Sequence, residues 1–359
     1  MSRVYNFSAG PAALPLEVLK SIRKDIPDWQ GTGMSVMEVS HRSKEFVALA
    51  ERAEANFRTL LSIPDDYSVL FTQGGATLQM SMAPMNLAGA DDTVDYVVTG
   101  SWGKKAAGEA RKFCKVNVAA DAADKNFTYI PEESSWQRSD DAAYLHVTPN
   151  ETIAGVEFHF VPSGDTPIVA DMSSTILSRP IDVSRYAVIY AGAQKNIGPA
   201  GITVVIVRND LLDRAPLNLP HLMTWRSYAE SGSMTNTPPT FAWYVADLVF
   251  QYLEDCGGLE AMAEINARKA RKLYTAIDGS DFYSNPVQED CRSWMNVPFV
   301  LADASLDAKF LQESAADGLT NLKGHRSVGG MRASIYNAVP EEAVDALIDF
   351  MNEFERVNG

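Results

Sequence analysis

The chain has 359 residues, 46% of them hydrophobic, so it can bury the cores of two domains of ordinary size. Its net charge of −15 argues against a nucleic-acid binder, because such proteins carry dense basic patches. No run of about 18 uncharged apolar residues occurs, so we expect no membrane span. Because residues 1–7 lack the apolar core of a signal peptide, we also expect a cytoplasmic location.

The cysteine pattern argues against a disulfide framework and against a structural zinc site. Cys114, Cys256 and Cys291 are odd in number, far apart and free of any C-x-x-C pair. This spacing predicts three reduced thiols rather than a disulfide framework or a zinc site. We therefore expect no structural metal.

The N-terminal two thirds of the chain alternate short β-rich runs with helical ones, which predicts a layered α/β architecture. A helix is predicted to follow Ser43 and to stop at Pro64, because apolar residues recur there at helical spacing. Gly74-Gly75 separate a buried strand at 67–72 from a predicted helix at 76–87. Further strands are predicted at 95–99, 143–147, 167–171, 186–190 and 201–207.

The C-terminal third predicts a second, smaller α/β unit. Residues 241–273 have a helical composition that is broken near Cys256-Gly257-Gly258, so this stretch is expected to link two domains. Beyond it we predict strands at 293–301 and 331–336, a helix at 307–316 closed by Gly318, and a last helix with Pro340 in its first turn. We therefore expect a large domain at 1–255, including an N-terminal segment 1–15, and a small domain at 256–359.

One lysine stands among small residues between two hydrophobic strands, in the run YAGAQKNIGPAG at 190–201. Partial burial of Lys195 would disfavour its charged form and free the amine as a nucleophile. A surface lysine in a glycine-rich turn explains this segment alone equally well.

Two further segments suggest partners for that lysine. The strand at 167–171 ends in Asp171, and a buried carboxylate there would need a cation such as a protonated pyridine nitrogen. In the run TQGGATL at 72–78 a strand leads through glycines into a helix, a geometry that offers backbone N–H groups to an anion. A helix N-cap and a plain tight turn remain the ordinary explanations of the two segments taken singly.

Together these segments match the needs of pyridoxal phosphate: an anion site, an acid for the ring nitrogen and a lysine for a Schiff base. Trp102 adds a flat face that could stack on the ring, although a tryptophan taken alone is more often part of a core. Two cationic runs, at His41-Arg42 and at 323–326 before Arg332, are candidates for a doubly anionic substrate. Solvated surface charge is the alternative for either run alone.

Several longer runs resemble one known family. They are NFSAGPA at 6–12, SHR at 40–42, PNET at 149–152, DMSSTILSRP at 171–180, AGAQKN at 191–196 and KGHR at 323–326. In this order they resemble the phosphoserine aminotransferases, class-V enzymes of the aspartate-aminotransferase-like fold type I. The resemblance covers essentially the whole chain and implies a mixed, mostly parallel seven-stranded sheet in the large domain.

The resemblance also implies a role for each site residue. Lys195 would carry pyridoxal phosphate as a Schiff base, Asp171 would bind the ring nitrogen, Trp102 would stack on the ring and Thr152 would bond its phenolic oxygen. The cofactor phosphate would be held by Ala76, Thr77 and Gln194, with Asn236 and Thr237 from the partner subunit of a homodimer. His41, Arg42, His325 and Arg326 would bind the substrate's distal anion, and Arg332 its α-carboxylate.

The implied reaction moves the amino group of L-glutamate to 3-phosphohydroxypyruvate, with the related 4-phosphohydroxythreonine couple of pyridoxine synthesis as a second substrate pair. Threonine at position 77 replaces an arginine found in some members, so a greater load is expected on His41 and Arg42. Alanine at position 9 replaces a serine found in some members, so a substrate contact by that hydroxyl is expected to be absent. The alternatives are a cysteine desulfurase, an alanine–glyoxylate-type transaminase, a non-catalytic cofactor-binding regulator and a cofactor-free Schiff-base aldolase.

Overall fold

The computed structural model describes residues 3–359, so Met1 and Ser2 of the predicted segment 1–15 lie outside it. The strands are β1 (Tyr5–Asn6), β2 (Tyr67–Thr72), β3 (Thr93–Val98), β4 (Lys115–Asp121), β5 (Leu145–Val147), β6 (Asn150–Glu151), β7 (Val156–Glu157), β8 (Ile168–Asp171), β9 (Val188–Gly192), β10 (Thr203–Arg208), β11 (Tyr283–Ser284), β12 (Asn296–Leu301), β13 (Leu319–Thr320) and β14 (Met331–Ser334). The α-helices are α1 (Leu16–Asp25), α2 (Lys44–Leu61), α3 (Gly75–Leu87), α4 (Ser101–Ala110), α5 (Trp225–Glu230), α6 (Thr240–Asp255), α7 (Gly258–Asp278), α8 (Asp307–Ala316) and α9 (Glu341–Asn358).

A seven-stranded sheet organises the larger part of the molecule, in the order β2-β10-β9-β8-β5-β3-β4. Strand β10 runs antiparallel to both of its neighbours, and the other pairs are parallel. The central strands are buried along their whole length, as expected for a sheet covered on both faces. This mixed, mostly parallel seven-stranded sheet confirms the predicted α/β fold class.

Helix α2 shows why the sequence folds this way on one face of the sheet. The Ser43 hydroxyl accepts a hydrogen bond from the Phe46 N–H (3.2 Å) and so caps the first turn. The apolar stripe packs on α6, where Phe57 stacks obliquely on Phe250 at 5.0 Å between ring centroids. The helix ends before Ser62, which adopts a left-handed conformation, rather than at Pro64.

The C-terminal part forms a separate antiparallel sheet in the order β11-β12-β14, covered by α7, α8 and α9. Strand β1 of the N-terminal segment pairs in parallel with β13, and Phe7 is buried in the same C-terminal core. The N-terminal segment therefore packs against residues that lie more than 300 positions later in the sequence. The predicted domain boundary at 255/256 stays a prediction.

The periodicity of the sequence missed several elements, among them α4, β4 and α1, and displaced others by a few residues. The fully buried residues of helix α4 are all glycine or alanine, so it has no bulky apolar stripe to mark it, and Trp102 lies in its first turn. Strand β4 lies at the sheet edge with mostly half-buried side chains, and α1 fully buries only Val18 and Ile22. Pro340 occupies the N-cap of α9, one position before its predicted place.

Candidate active site

The candidate site lies at the carboxyl ends of the parallel strands of the seven-stranded sheet. Strands β2, β3, β5, β8 and β9 share one direction, so the residues that follow them meet at their carboxyl ends. A cavity of about 350 Å³ opens there. Of the predicted residues, the structure gathers around it Ala76, Thr77, Trp102, Thr152, Asp171, Gln194, Lys195, His325 and Arg332.

Lys195 follows β9 and points its amine into this cavity, with only 9% of the residue exposed. Its Nζ donates hydrogen bonds to the hydroxyls of Thr152 and Ser174, each at 2.6 Å. Burial lowers the pKa of Lys195 to about 8, against the opposing attraction of Asp171 and Glu151. The amine therefore has a substantial neutral fraction near pH 8, as a nucleophile requires.

Asp171 ends strand β8 on the cavity wall and is 5% exposed. Its Oδ1 accepts hydrogen bonds from the Ser173 N–H (3.0 Å) and the Ser173 hydroxyl (2.6 Å). Burial raises the pKa of this carboxyl, while the Ser173 bonds and Lys195 oppose the rise. Among the residues that the structure describes, no side chain of Lys or Arg forms an ion pair with Asp171, so the carboxylate remains available to a cationic ligand.

The start of helix α3 supplies the predicted anion-binding end. Gly74 has a positive φ of 89°, and a Cβ there would lie 2.5 Å from Leu78 Cδ2, so only glycine fits the turn. The turn directs the first N–H groups of α3 toward the cavity, where Ala76 and Thr77 line the wall. Gln194 lines the same region, and its side-chain amide packs close to Gly192, where a Cβ would lie 2.7 Å from Gln194 Oε1.

Trp102 lies in the first turn of α4 and lines the cavity. The carboxylate of Glu151 accepts hydrogen bonds from the backbone N–H groups of Trp102 (3.1 Å) and Gly103 (2.7 Å). Complete burial raises the pKa of Glu151 to about 7, and these two bonds oppose the rise. Trp102 is therefore anchored through its backbone to Glu151 of strand β6.

Two cations of the small unit reach the same cavity. Arg332, on β14, donates from Nη1 to the Thr152 carbonyl oxygen (3.2 Å), and its burial lowers its pKa. His325 lies in the exposed loop between β13 and β14. The C-terminal unit therefore contributes positive charge to a cavity built mainly from the larger sheet.

Five predicted residues do not line the cavity: His41, Arg42, Asn236, Thr237 and Arg326. The His41-Arg42 pair lies beside the capped start of α2, where Arg42 Nε donates to His41 Nε2 at 3.5 Å. Asn236 and Thr237 accept hydrogen bonds from Gln73 of their own chain. Arg326 neighbours His325 in the exposed loop. A single chain therefore presents an incomplete version of the predicted site.

Among the residues with contacts at the site that the sequence gave no role are Ser174, Glu151 and Lys105. Ser174 and Glu151 lie within the runs at 171–180 and 149–152 that carry the family resemblance. Membership in these runs was the signal by which the sequence could have pointed to them. Lys105 Nζ donates to the Thr77 hydroxyl (3.1 Å) and lies 5.5 Å from the centroid of the Trp102 ring. A cation therefore lies beside Thr77 even though residue 77 itself is uncharged.

Comparison with known proteins identifies the family. A family model described as aminotransferase class-V matches residues 4–347, nearly the whole chain. The chain belongs to the class-V aminotransferases. This class-V aminotransferase is 60% identical over 353 residues to the phosphoserine aminotransferase of Hahella chejuensis, covering 98% of each chain.

Solved structures agree with this family. The phosphoserine aminotransferase from Bacillus circulans subsp. alkalophilus has a TM-score of 0.97 and 48% identity to this class-V aminotransferase, with 99% of each chain covered. A pyridoxal-phosphate-bound phosphoserine aminotransferase from Trichomonas vaginalis has a TM-score of 0.94 and 44% identity, covering 98% of this chain and 100% of its own. These likenesses confirm the predicted aspartate-aminotransferase-like fold type I and the family inferred from the motif runs.

Membrane-spanning helices, metal-ligand clusters and disulfides are absent from the described residues. Within residues 3–359, no helix is both long and apolar enough to cross a bilayer. Nor do the described residues contain a group of three or more His, Cys, Asp or Glu side chains that could hold a metal ion. All three cysteines are free.

Proposed function

We propose that this class-V aminotransferase binds pyridoxal phosphate in the cavity at Lys195 and transfers the amino group of L-glutamate to 3-phosphohydroxypyruvate. The products are 2-oxoglutarate and O-phospho-L-serine. The observation that carries the proposal is a buried lysine amine with a lowered pKa, facing a cavity that also contains a buried aspartate and a helix N-terminus. Relatives 55–60% identical over nearly full length are phosphoserine aminotransferases, which supports the choice of substrates.

The residues around the cavity fit the cofactor. Trp102 and Thr148 line it, and each has a buried polar atom, Nε1 and Oγ1 respectively, without a hydrogen-bond partner among the described residues. Asp171 would hold the ring nitrogen, and Ala76, Thr77 and Gln194 would hold the phosphate. Thr152 would bond the phenolic oxygen, and Trp102 would cover one face of the ring. When bound, the cofactor supplies an electron sink for the negative charge that develops at the substrate's Cα.

Lys195 then acts as the acid and base of the reaction. Its amine removes a proton from the substrate's Cα and later returns one, and a pKa near the working pH suits both roles. The hydroxyls of Thr152 and Ser174 orient this amine before it reacts. Asp171 lies on the wall of the same cavity.

Arginine and histidine side chains supply substrate recognition. Arg332 would bind the α-carboxylate, because its planar guanidinium is already directed into the cavity by the Thr152 carbonyl. His325, Arg326, His41 and Arg42 would bind either the phosphate of phosphohydroxypyruvate or the distal carboxylate of glutamate. Both anions sit at a similar distance from Cα, so one set of cations serves both substrates.

The functional unit is proposed to be a homodimer with active sites at the subunit interface. His41, Arg42, Asn236 and Thr237 lie outside the cavity of one chain, and a second copy would bring such groups to the cavity across the interface. The partner's Asn236 and the partner's Thr237 would complete the phosphate cup. Reaction in the cytoplasm and use of the phosphorylated threonine precursor of pyridoxine synthesis are further parts of this proposal.

Replacing Lys195 by Ala tests the proposal. We expect loss of glutamate:phosphohydroxypyruvate transamination by about 10⁴-fold or more, because both the cofactor anchor and the proton carrier are lost. Addition of glutamate should also no longer change the visible absorption of the bound cofactor. Lys104→Ala, an exposed lysine on α4, is the matched control and should behave as the wild type. Activity retained in the Lys195 variant would refute the assignment.

The alternative functions have specific objections. A desulfurase needs a reactive thiol, but Cys291 is buried and its burial raises its thiol pKa to about 11. An aldolase barrel is excluded by the open sheet with edge strands β2 and β4. Alanine–glyoxylate chemistry is separated by assaying glyoxylate against phosphohydroxypyruvate. A non-catalytic regulator would show no spectral change with glutamate.

A further inference from the structure

Helix α4 begins without a capping side chain of its own, because its N-cap residue is Gly100. The first N–H groups of a helix have no acceptor within it, and a side chain normally supplies one. In this protein the acceptor is Glu151, on strand β6. Its two carboxylate oxygens take one hydrogen bond each, from the N–H groups of Trp102 and Gly103.

The space for this carboxylate exists only because residue 100 lacks a Cβ. A Cβ on Gly100 would lie 2.3 Å from Glu151 Cδ and 2.5 Å from its Oε2. The φ of Gly100 is 178°, an extended conformation that any residue adopts, so glycine is required here for space alone. Gly100 and Glu151 therefore form one capping unit, which joins the start of α4 to the end of β6.

The capping unit is joined to the reactive amine by a single peptide. Glu151 is completely buried and is held by pairing of β6 with β7. The next residue, Thr152, accepts the hydrogen bond from Lys195 Nζ. Residues 151 and 152 thus fix the Trp102 side of the cavity and the Lys195 side at the same time.

The ring of Trp102 is placed by its backbone. Its Nε1 is buried and makes no hydrogen bond to any residue that the structure describes, so no hydrogen bond of the ring itself sets its orientation. The two N–H bonds to Glu151 are made by Trp102 and by the residue that follows it. A shift of this first turn would therefore move the ring directly.

We propose that Glu151 is a positioning residue that, by capping α4 in the space left by Gly100, holds the Trp102 ring against the ring of the bound cofactor. This inference rests on the proposed pyridoxal phosphate site. It predicts that any change that displaces the carboxylate lowers the fraction of molecules with Trp102 in place. Cofactor affinity then falls by that fraction.

Two independent substitutions should displace the cap in the same way. Glu151→Gln replaces one acceptor oxygen by an NH₂ group that faces a backbone N–H, and Gly100→Ala pushes the carboxylate away. Each should raise the dissociation constant for pyridoxal phosphate by about tenfold. Each should also alter the near-ultraviolet circular dichroism that disappears in Trp102→Phe. The double variant should be no worse than the more affected single one, because both disrupt one unit.

A rescue separates positioning from general damage to the fold. Glu151→Ala removes the cap and opens the space that a Cβ at position 100 needs. Adding Gly100→Ser then supplies a hydroxyl at the N-cap, where serine is a preferred residue. The pair should regain the cofactor affinity and Trp102 signal lost in Glu151→Ala. Gly108→Ala, on the same helix with nothing within 4 Å of its Cβ, should match the wild type throughout.

The readouts keep this inference distinct from the proposed function. Wild-type protein that binds no pyridoxal phosphate would overturn the proposed function itself. Wild-type binding and transamination, with an unchanged dissociation constant and Trp102 signal in Glu151→Gln and Gly100→Ala, would overturn only the role of Glu151. Variants that lose melting temperature while keeping both readouts would overturn it as well, because that result describes a purely structural residue.

Discussion

At the scale of single residues, the chemistry depends on how burial changes ordinary side chains. Lys195 and Asp171 have opposite charges, yet burial alone lowers the pKa of the first and raises that of the second. Their mutual attraction opposes both shifts without cancelling them. A cavity of this kind keeps the amine reactive and the carboxylate available for a cationic ring.

The pKa of Lys195 gives a pH prediction for the protein freed of cofactor. An amine reacts with an aldehyde only when neutral, so below pH 8 the rate of cofactor capture should rise about tenfold per pH unit and then level off. Rapid mixing of the apoprotein with pyridoxal phosphate, followed by absorbance, measures this rate. A rate that keeps rising to pH 10.5, the ordinary value for lysine, would contradict the effect of burial.

Lys105 gives a second residue-scale prediction. Its amine contacts Thr77 at the cavity wall, where it adds positive charge near the anionic parts of the ligands. Replacing it by Met should raise the KM for phosphohydroxypyruvate about two- to fivefold, the range expected for an exposed charge pair. Lys104→Met is the control. Equal KM values for the two variants would show that Lys105 leaves the substrate untouched.

At the scale of elements, the turns that begin helices decide where the site residues lie. The N-cap residues are Gly74 in α3, Gly100 in α4 and Ser43 in α2. The three helices differ in how their first, unpaired N–H groups are provided for. The two glycine starts face the cavity. The serine start lies beside the His41-Arg42 pair, so the stability of α2 bears on where these cations point.

The Ser43 cap can be tested as an element-scale prediction. Ser43→Ala should destabilise the protein by about 1 kcal/mol, whereas Ser43→Asp should keep the cap and the stability. Urea denaturation followed by tryptophan fluorescence reports on this region, because Trp243 packs edge-on against Phe46 of α2. A loss of stability equal in both variants would point to a cause other than the cap.

At the scale of the whole molecule, the proposed homodimer would complete each site with groups from both chains. If the partner's Arg42 completes each site, a Lys195→Ala chain and an Arg42→Ala chain can complement each other in a mixed dimer. One site of that dimer is then intact, and an equal mixture should regain about a quarter of wild-type activity. Activity of the mixture after joint refolding, compared with each inactive parent, is the measurement. No recovery despite dimer formation would place Arg42 in its own chain's site.

Local sequence patterns predicted much of the fold. The strand at 67–72 and the helix at 307–316 were predicted with the bounds that the structure has, because burial periodicity and helix-ending glycines act over a few residues. Helix α4 was missed because it packs through small side chains that leave no periodic stripe. The short-range signal was therefore strongest where large apolar residues alternate with clear breaks.

By itself, the sequence determined the α/β class, the family and the residue types of the site, since strand-ending acids, glycine turns and a lysine among small residues are local features. Only the tertiary structure decided that Glu151 caps α4, that Ser174 bonds Lys195 and that Lys105 reaches Thr77. It also decided that His41 and Arg42 lie outside the cavity of a single chain. The physical reason is that these contacts join segments far apart in the sequence, and their geometry depends on how the sheet brings strand ends together.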